Sequence, residues 1–207
     1  MINIKCNDRV SIFGRTGSGK TYFIIYFLLK YLKRQYRTVF FDIKDEVKGQ
    51  IDYDIKITNI SELDNYFITN QKKDLILFIP KTTDVDEFND FCKIIYKQGD
   101  IIVIIDEVSY YATQFKIESW HRELIVRGRS RNIGLVQVSQ RPRGISNYII
   151  SETNHFILYQ LVLKNDIDKL STMIPMDILN QVYTLTDYKY LYYNIYGNFL
   201  INDAIIK

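Results

Sequence analysis

The stretch SIFGRTGSGKTYFII, Ser11 to Ile25, joins a short apolar run to a loop that holds three of the chain's nine glycines, and the loop ends in a lysine and a threonine that open a second apolar run. Within it GRTGSGKT, Gly14 to Thr21, matches the phosphate-loop pattern G-x-x-x-x-G-K-[ST]. The flanks agree with that pattern: RVSIF (Arg9–Phe13) reads as a buried strand, and Lys20 to about Arg34 as a helix with Phe23, Phe27 and Tyr31 on its apolar face. Glycines at 14, 17 and 19 let the loop take left-handed conformations and aim backbone N–H groups inward at phosphate oxygens, and the helix start adds partial positive charge. The candidate nucleotide-binding residues are therefore Gly14, Arg15, Thr16, Gly17, Ser18, Gly19, Lys20 and Thr21. Lys20 would reach the β- and γ-phosphates of ATP, and the Thr21 hydroxyl would take a place on Mg²⁺.

Working outward, apolar runs alternate with helical patterns. TVFFDI (Thr38–Ile43) and LILFIP (Leu75–Pro80) read as strands, as does IDYDIKI with its alternating Ile51, Tyr53, Ile55 and Ile57. Ser61 with Asp64 is the expected cap of a short helix. A second amphipathic helix runs from about Asp84 to Gln98, ended by Gly99. IIVIIDE (Ile101–Glu107) is the most apolar strand, branched enough to be central in a parallel sheet, and a helix marked by Ile117, Trp120, Leu124 and Ile125 ends at Gly128. GLVQVSQ and HFILYQL read as strands, a helix lies near Asn165–Thr172, and residues 186–203 read as a hairpin turning at Gly197–Asn198. Such alternation predicts an α/β fold: an open, mostly parallel sheet flanked by helices on both faces, in one domain over residues 1–207.

A phosphate loop needs a metal partner, and Asp106, ending the buried strand, is placed to hold the Mg²⁺ shell. Glu107, the next residue, is the candidate base that orients and deprotonates water, which favours hydrolysis over transfer to another acceptor. Gln140 closes a later strand, where its amide would sense the γ-phosphate or position water. Six of the ten arginines lie between Arg122 and Arg143. Of these, Arg127, Arg129 and Arg131 alternate around Gly128, placed to meet a phosphate across a subunit boundary or a nucleic-acid backbone. Arg127 belongs to the end of a helix, so Arg129 and Arg131 are the preferred fingers, near a sheet edge where a neighbour would dock.

Composition excludes other classes. Two separated cysteines and two histidines make neither a disulfide framework nor a metal site. No apolar run approaches the roughly 18 residues of a membrane span, and the start lacks a signal-peptide pattern, so the expectation is a cytoplasmic protein. A net charge of +3 does not by itself announce a nucleic-acid binder.

GRTGSGKT, the strand ending in DE, the turn RGRSRNIG, the strand ending in SQRP and the segment FFDIKDE together resemble the FtsK/HerA superfamily of DNA-pumping ATPases, over roughly Val10 to Leu170. Lacking an added domain, the chain looks most like the genome-packaging ATPases of icosahedral viruses with an internal membrane. The resemblance implies a RecA/FtsK-like phosphate-loop NTPase that forms a homohexameric ring on double-stranded DNA and fires ATP at subunit interfaces. It further implies a capsid-vertex or membrane protein of a virion as partner, and work in the host cytoplasm at the packaging vertex. The family uses one or two arginines where this chain has three. A nucleoside or nucleotide kinase, an assembly ATPase of the filamentous-phage kind, and a nucleotide switch without motor activity remain open as alternatives.

Overall fold

Alternate residues of each apolar run enter two different cores, as strands covered on both faces require. In β5 (Ile101–Ile105), Ile101, Val103 and Ile105 join one cluster while Ile102 and Ile104 join the other; in β2 (Arg37–Phe41), Val39 and Phe41 part from Phe40 in the same way. The computed structural model describes residues 4–32, 35–70 and 72–203. Its other strands are β1 (Arg9–Phe13), β3 (Ile55–Ile57), β4 (Leu75–Phe78), β6 (Ile133–Ser139), β7 (His155–Leu158), β8 (Tyr190–Asn194) and β9 (Phe199–Asn202). They form a nine-stranded sheet in the order β3-β4-β2-β5-β6-β1-β7-β8-β9. All pairings from β3 to β7 are parallel, and β8 and β9 add antiparallel at the edge.

One face packs under α3 (Ile60–Thr69), α4 (Val85–Gln98), α5 (Ser119–Arg127), α6 (Asn147–Glu152), α7 (Lys164–Leu170) and α8 (Met176–Leu179). The opposite face carries the helix that follows the phosphate loop: α1 (Lys20–Phe23), a π-helical turn at Ile24–Leu28, and α2 (Leu29–Leu32). Phe23, Ile24, Leu28 and Leu32 are fully buried there, so the phosphate loop is anchored by its own helix to the centre of the sheet. Because β6 lies between β5 and β1, the ends of three adjacent strands deliver Asp106, Gln140 and the phosphate loop to one end of the sheet.

Several boundaries differ from the sequence reading for local reasons. The first helix runs from Lys20 to Leu32 through a π-helical turn, and its expected end, Arg34, lies outside the described residues. β2 stops at Phe41 because the Asp42 carboxylate accepts from the N–H groups of Lys44 (3.2 Å) and Val47 (3.0 Å) and turns the chain. Of IDYDIKI only Ile55–Ile57 is strand, since the Asp54 carboxylate itself takes the Leu75 N–H at 2.8 Å. The cap of α3 is Asn59, two residues before Ser61: its side chain accepts from Glu62 N (2.8 Å) and donates to Glu62 Oε2 (3.2 Å). α4 ends at Gly99 as expected, and Asp84, read as its first residue, is instead its N-cap, with a side chain that accepts from Asp86 N. The short helices α6 and α8 carried too little periodic pattern to be read. The tail forms β8 and β9 around Gly197 as expected.

The arginine turn is not near a sheet edge. Gly128–Arg131 forms a 3₁₀ turn leading into β6, a middle strand, at the end of the sheet opposite the phosphate loop.

Candidate active site

The loop after β1 is built on positions no other residue suits. A Cβ on Gly14 would stand 2.5 Å from Tyr159 Cβ and 2.7 Å from Ser18 Oγ, and Gly17 and Gly19 hold φ of 76° and 102°, the left-handed region. Lys20 folds back over the loop, its Nζ donating to the carbonyls of Gly14 (2.8 Å) and Arg15 (3.0 Å). Burial lowers the Lys20 pKa, and the nearby charges of Glu107 and Asp106 work against that. Arg15, Thr16 and Gly17 are exposed at the tip, and Thr21 is half-buried at the helix start. Ser18 Oγ is buried with no hydrogen-bond partner among the described residues. An oxyanion seated in the loop would satisfy it.

At the end of β5, Asp106 is 3% exposed and its pKa is pushed up to about 6, first by burial and next by the adjacent Glu107 charge. Its Oδ1 accepts from the Glu107 N–H at 3.1 Å. Glu107 has left-handed backbone, φ 50° and ψ 51°, a conformation that costs an ordinary residue about 1–2 kcal/mol. That turn keeps its side chain inward, where Oε1 accepts from Lys44 Nζ at 2.7 Å and from Gln140 Nε2 at 3.1 Å. Burial opposes the Lys44 charge, but the Glu107 contact outweighs it and the pKa is raised. The loop that presents Lys44 is the one turned by the buried Asp42.

Lys20, Thr21, Asp106, Glu107 and Gln140 are thus brought to one end of the sheet, Gln140 one residue past β6 rather than within it. The donors suit Mg²⁺: one hydroxyl and one buried carboxylate beside a phosphate cradle leave most of a hard cation's shell to water and phosphate oxygens. No cluster of three or more His, Cys, Asp or Glu among the described residues offers an all-protein metal cage. Three clefts surround the loop. One of about 340 Å³ lies between Arg15, Gly17, Tyr159, Leu185 and Tyr188, and one of about 430 Å³ between Gly19, Lys20, Thr21, Tyr22 and Tyr188. The third, about 480 Å³, is lined by Thr16, Gln140, Arg141 and Asp166.

Arg129 and Arg131 do not join this group. Arg129 donates to Glu152 O (2.7 Å) and Arg131 to Tyr96 O (2.5 Å) and Lys97 O (2.8 Å), so within the chain both cap helix ends, of α6 and α4 respectively. Arg127 pairs with Glu123 on its own helix at 3.2 Å. Sequence reasoning missed Lys44, although it stands in the noted FFDIKDE segment, and missed Tyr159 and Tyr188, which carry no motif.

Residues 2–199 match the family model described as "Helicase HerA, central domain". The chain is 26% identical over 205 residues to the DNA packaging ATPase P9 of Enterobacteria phage PRD1, covering 92% of this chain and 84% of that protein. Its fold is similar to that of the genome packaging NTPase B204 from Sulfolobus turreted icosahedral virus 2 in complex with ATP-gammaS, with a TM-score of 0.85 at 20% identity over 98% of this chain and all of that one. ATPases 2 and 3 of EssC from Geobacillus thermodenitrificans share the fold more distantly, with a TM-score of 0.60 at 14% identity over 96% of this chain and 40% of that one.

Proposed function

The chain belongs to the HerA helicase central-domain family, and from that premise we propose that it is an ATP-hydrolysing translocase, the genome-packaging motor that drives double-stranded DNA into a viral capsid. The observation that carries the reading is the convergence of Lys20, Asp106, Glu107 and Gln140 at the ends of three neighbouring strands. The phosphate loop binds the ATP phosphates, with Lys20 moving from its own loop carbonyls onto the β- and γ-oxygens. Thr21 and Asp106 would hold Mg²⁺, which would supply charge neutralisation to the transferred phosphoryl group. Glu107 takes a proton from the attacking water, and Gln140, already on its carboxylate, sets its orientation. A base in place next to the metal carboxylate favours water as acceptor and disfavours the kinase alternative.

Residues 1–207 act as one ATPase unit around the single sheet, extended by the hairpin 186–203. Copies assemble into a hexameric ring on duplex DNA, docked to a capsid-vertex or membrane protein of the virion in the host cytoplasm. Among the described residues no helix is long and apolar enough to cross a membrane. Arg129 and Arg131 serve the neighbouring subunit's nucleotide, since their own lies at the other end of the sheet.

The test is ATPase turnover of wild type and Glu107→Gln, with and without duplex DNA and without any phosphate acceptor. Glu107→Gln is expected to bind ATP normally and to lose about 10²- to 10⁴-fold in rate, and duplex DNA to stimulate the wild type. Equal turnover by the two proteins removes Glu107 as the base; an absolute requirement for an acceptor restores the kinase reading.

A further inference from the structure

The segment between α8 and β8 returns to the phosphate loop as a tight turn, Thr186 to Lys189, closed by Lys189 N–H donating to Thr186 O at 2.9 Å. Its two central residues, Asp187 and Tyr188, both have positive φ, 53° and 63°. That is the signature of a type I′ turn, whose usual central pair is Asn-Gly or Asp-Gly, because a Cβ is strained there. A bulky tyrosine at the second position is a genuine outlier, and such outliers gather where function requires a side chain in one place. Here the result is that the Tyr188 ring lies over the loop: a Cβ on Gly19 would stand 3.3 Å from Tyr188 Cδ1.

Tyr188 lines both the clefts of about 340 and 430 Å³, yet it is 61% exposed, so its ring offers a bare aromatic face. The larger of the two also contains Gly19, Lys20 and Thr21, so a ligand with phosphates on Lys20 extends along that ring. Tyr159 fixes the back wall, its buried ring tied by the hydroxyl to Gly19 O at 3.1 Å. In the same cleft Tyr22 Oη is buried with no partner among the described residues. We infer that Tyr188 is the stacking platform for the nucleobase, an inference that rests on the nucleotide reading of the phosphate loop. Stacking uses the π-face that every base has, so the site holds adenine and guanine by the same contact and discriminates little between them.

The experiment measures binding of ADP, GDP and inorganic tripolyphosphate, each with Mg²⁺, to wild type, Tyr188→Gly, Tyr188→Phe and Lys20→Ala. Glycine accepts φ 63° without strain, so Tyr188→Gly removes the ring while suiting the turn. The expected result is a loss of about 5- to 150-fold in affinity for both ADP and GDP in Tyr188→Gly, recovery in Tyr188→Phe, and unchanged tripolyphosphate binding. ADP binding within twofold of wild type in Tyr188→Gly overturns the inference, as does an equal loss for tripolyphosphate. Lys20→Ala separates the two readings: it should lose all three ligands, and if it does not, or if wild type binds none of them, the nucleotide site itself is wrong.

Discussion

Asp106→Asn should make the metal-free protein more stable while disabling it. The carboxyl is 3% exposed at the end of the central strand, and burial together with Glu107 raises its pKa from the ordinary 3.8 to about 6. Below about pH 3.8 the folded and unfolded chains both hold this proton, and the group contributes nothing unfavourable. Between that value and about 6 the folded chain keeps a proton that the unfolded chain releases, so stability falls as pH rises. Above about 6 the loss is complete, and at about 1.4 kcal/mol per tenfold change in protonation equilibrium it amounts to about 3 kcal/mol. An asparagine is of the same size, keeps the oxygen that accepts from the Glu107 N–H, and carries no charge to desolvate. Urea unfolding in EDTA should therefore show Asp106→Asn about 3 kcal/mol more stable than wild type at pH 8 and little different at pH 3.5. Adding Mg²⁺ should narrow the gap at pH 8, since only the wild type gains from binding it. A variant no more stable than wild type at pH 8, or stabilised equally at both pH values, refutes the burial argument.

Two other perturbations have signs fixed by geometry. Lys44→Met removes a charged donor from Glu107 Oε1 and leaves that buried carboxylate with the Gln140 amide as its remaining described partner; with Lys44 side chain 30% exposed, a loss of about 1–2 kcal/mol in urea unfolding at pH 8 is expected, and no loss would show that the contact is energetically idle. Arg131→Ala removes two hydrogen bonds to the last carbonyls of α4, at about 1–2 kcal/mol. The same variant, mixed with Lys20→Ala, should regain DNA-stimulated ATPase if Arg131 works on the neighbouring nucleotide, whereas mixed rings that stay inactive would leave it with the helix cap alone.

The centre of the fold was legible because its signals are backbone chemistry. Gly14, Gly17 and Gly19 announce a loop that no side chain tolerates, and the five-residue apolar run Ile101–Ile105 announces a strand buried on both faces. Asp106 and Glu107 follow from that strand by position alone. What was not legible depends on side chains that compete with the backbone. Asp42 ends β2 two residues early and aims Lys44 at Glu107, and Asp54 shortens β3; both carboxylates look in the sequence like ordinary polar breaks. Tyr188 lies more than 160 residues from the loop it covers, and no local pattern marks a tyrosine that will occupy a left-handed position. The arginine turn was read correctly as a helix end but misplaced, since its position depends on β6 entering the sheet between β5 and β1, which only topology supplies.

That misplacement bears on assembly. β6 spans seven residues, about 20 Å at the rise of a strand. The turn before it and the phosphate loop beside its far end therefore occupy opposite ends of the sheet. If Arg129 or Arg131 meets a γ-phosphate, it does so in another copy, and the surface around the turn of one subunit faces the phosphate-loop surface of the next. Two different surfaces then meet at each contact; where each interface engages only one such pair it is heterologous, and such contacts either close into a ring or run on as a filament. A two-fold dimer would meet the same condition only by bringing both surfaces of each copy into one shared patch. The turn is already held rigid before any neighbour arrives, by Arg129 on Glu152 O and Arg131 on Tyr96 O and Lys97 O. An arginine recruited to the neighbour's phosphate must give up its helix-capping bonds. In such an assembly ATP at one interface would thereby loosen the end of α4 or α6 in the adjacent subunit, a direct physical route from nucleotide state to the conformation of its neighbour.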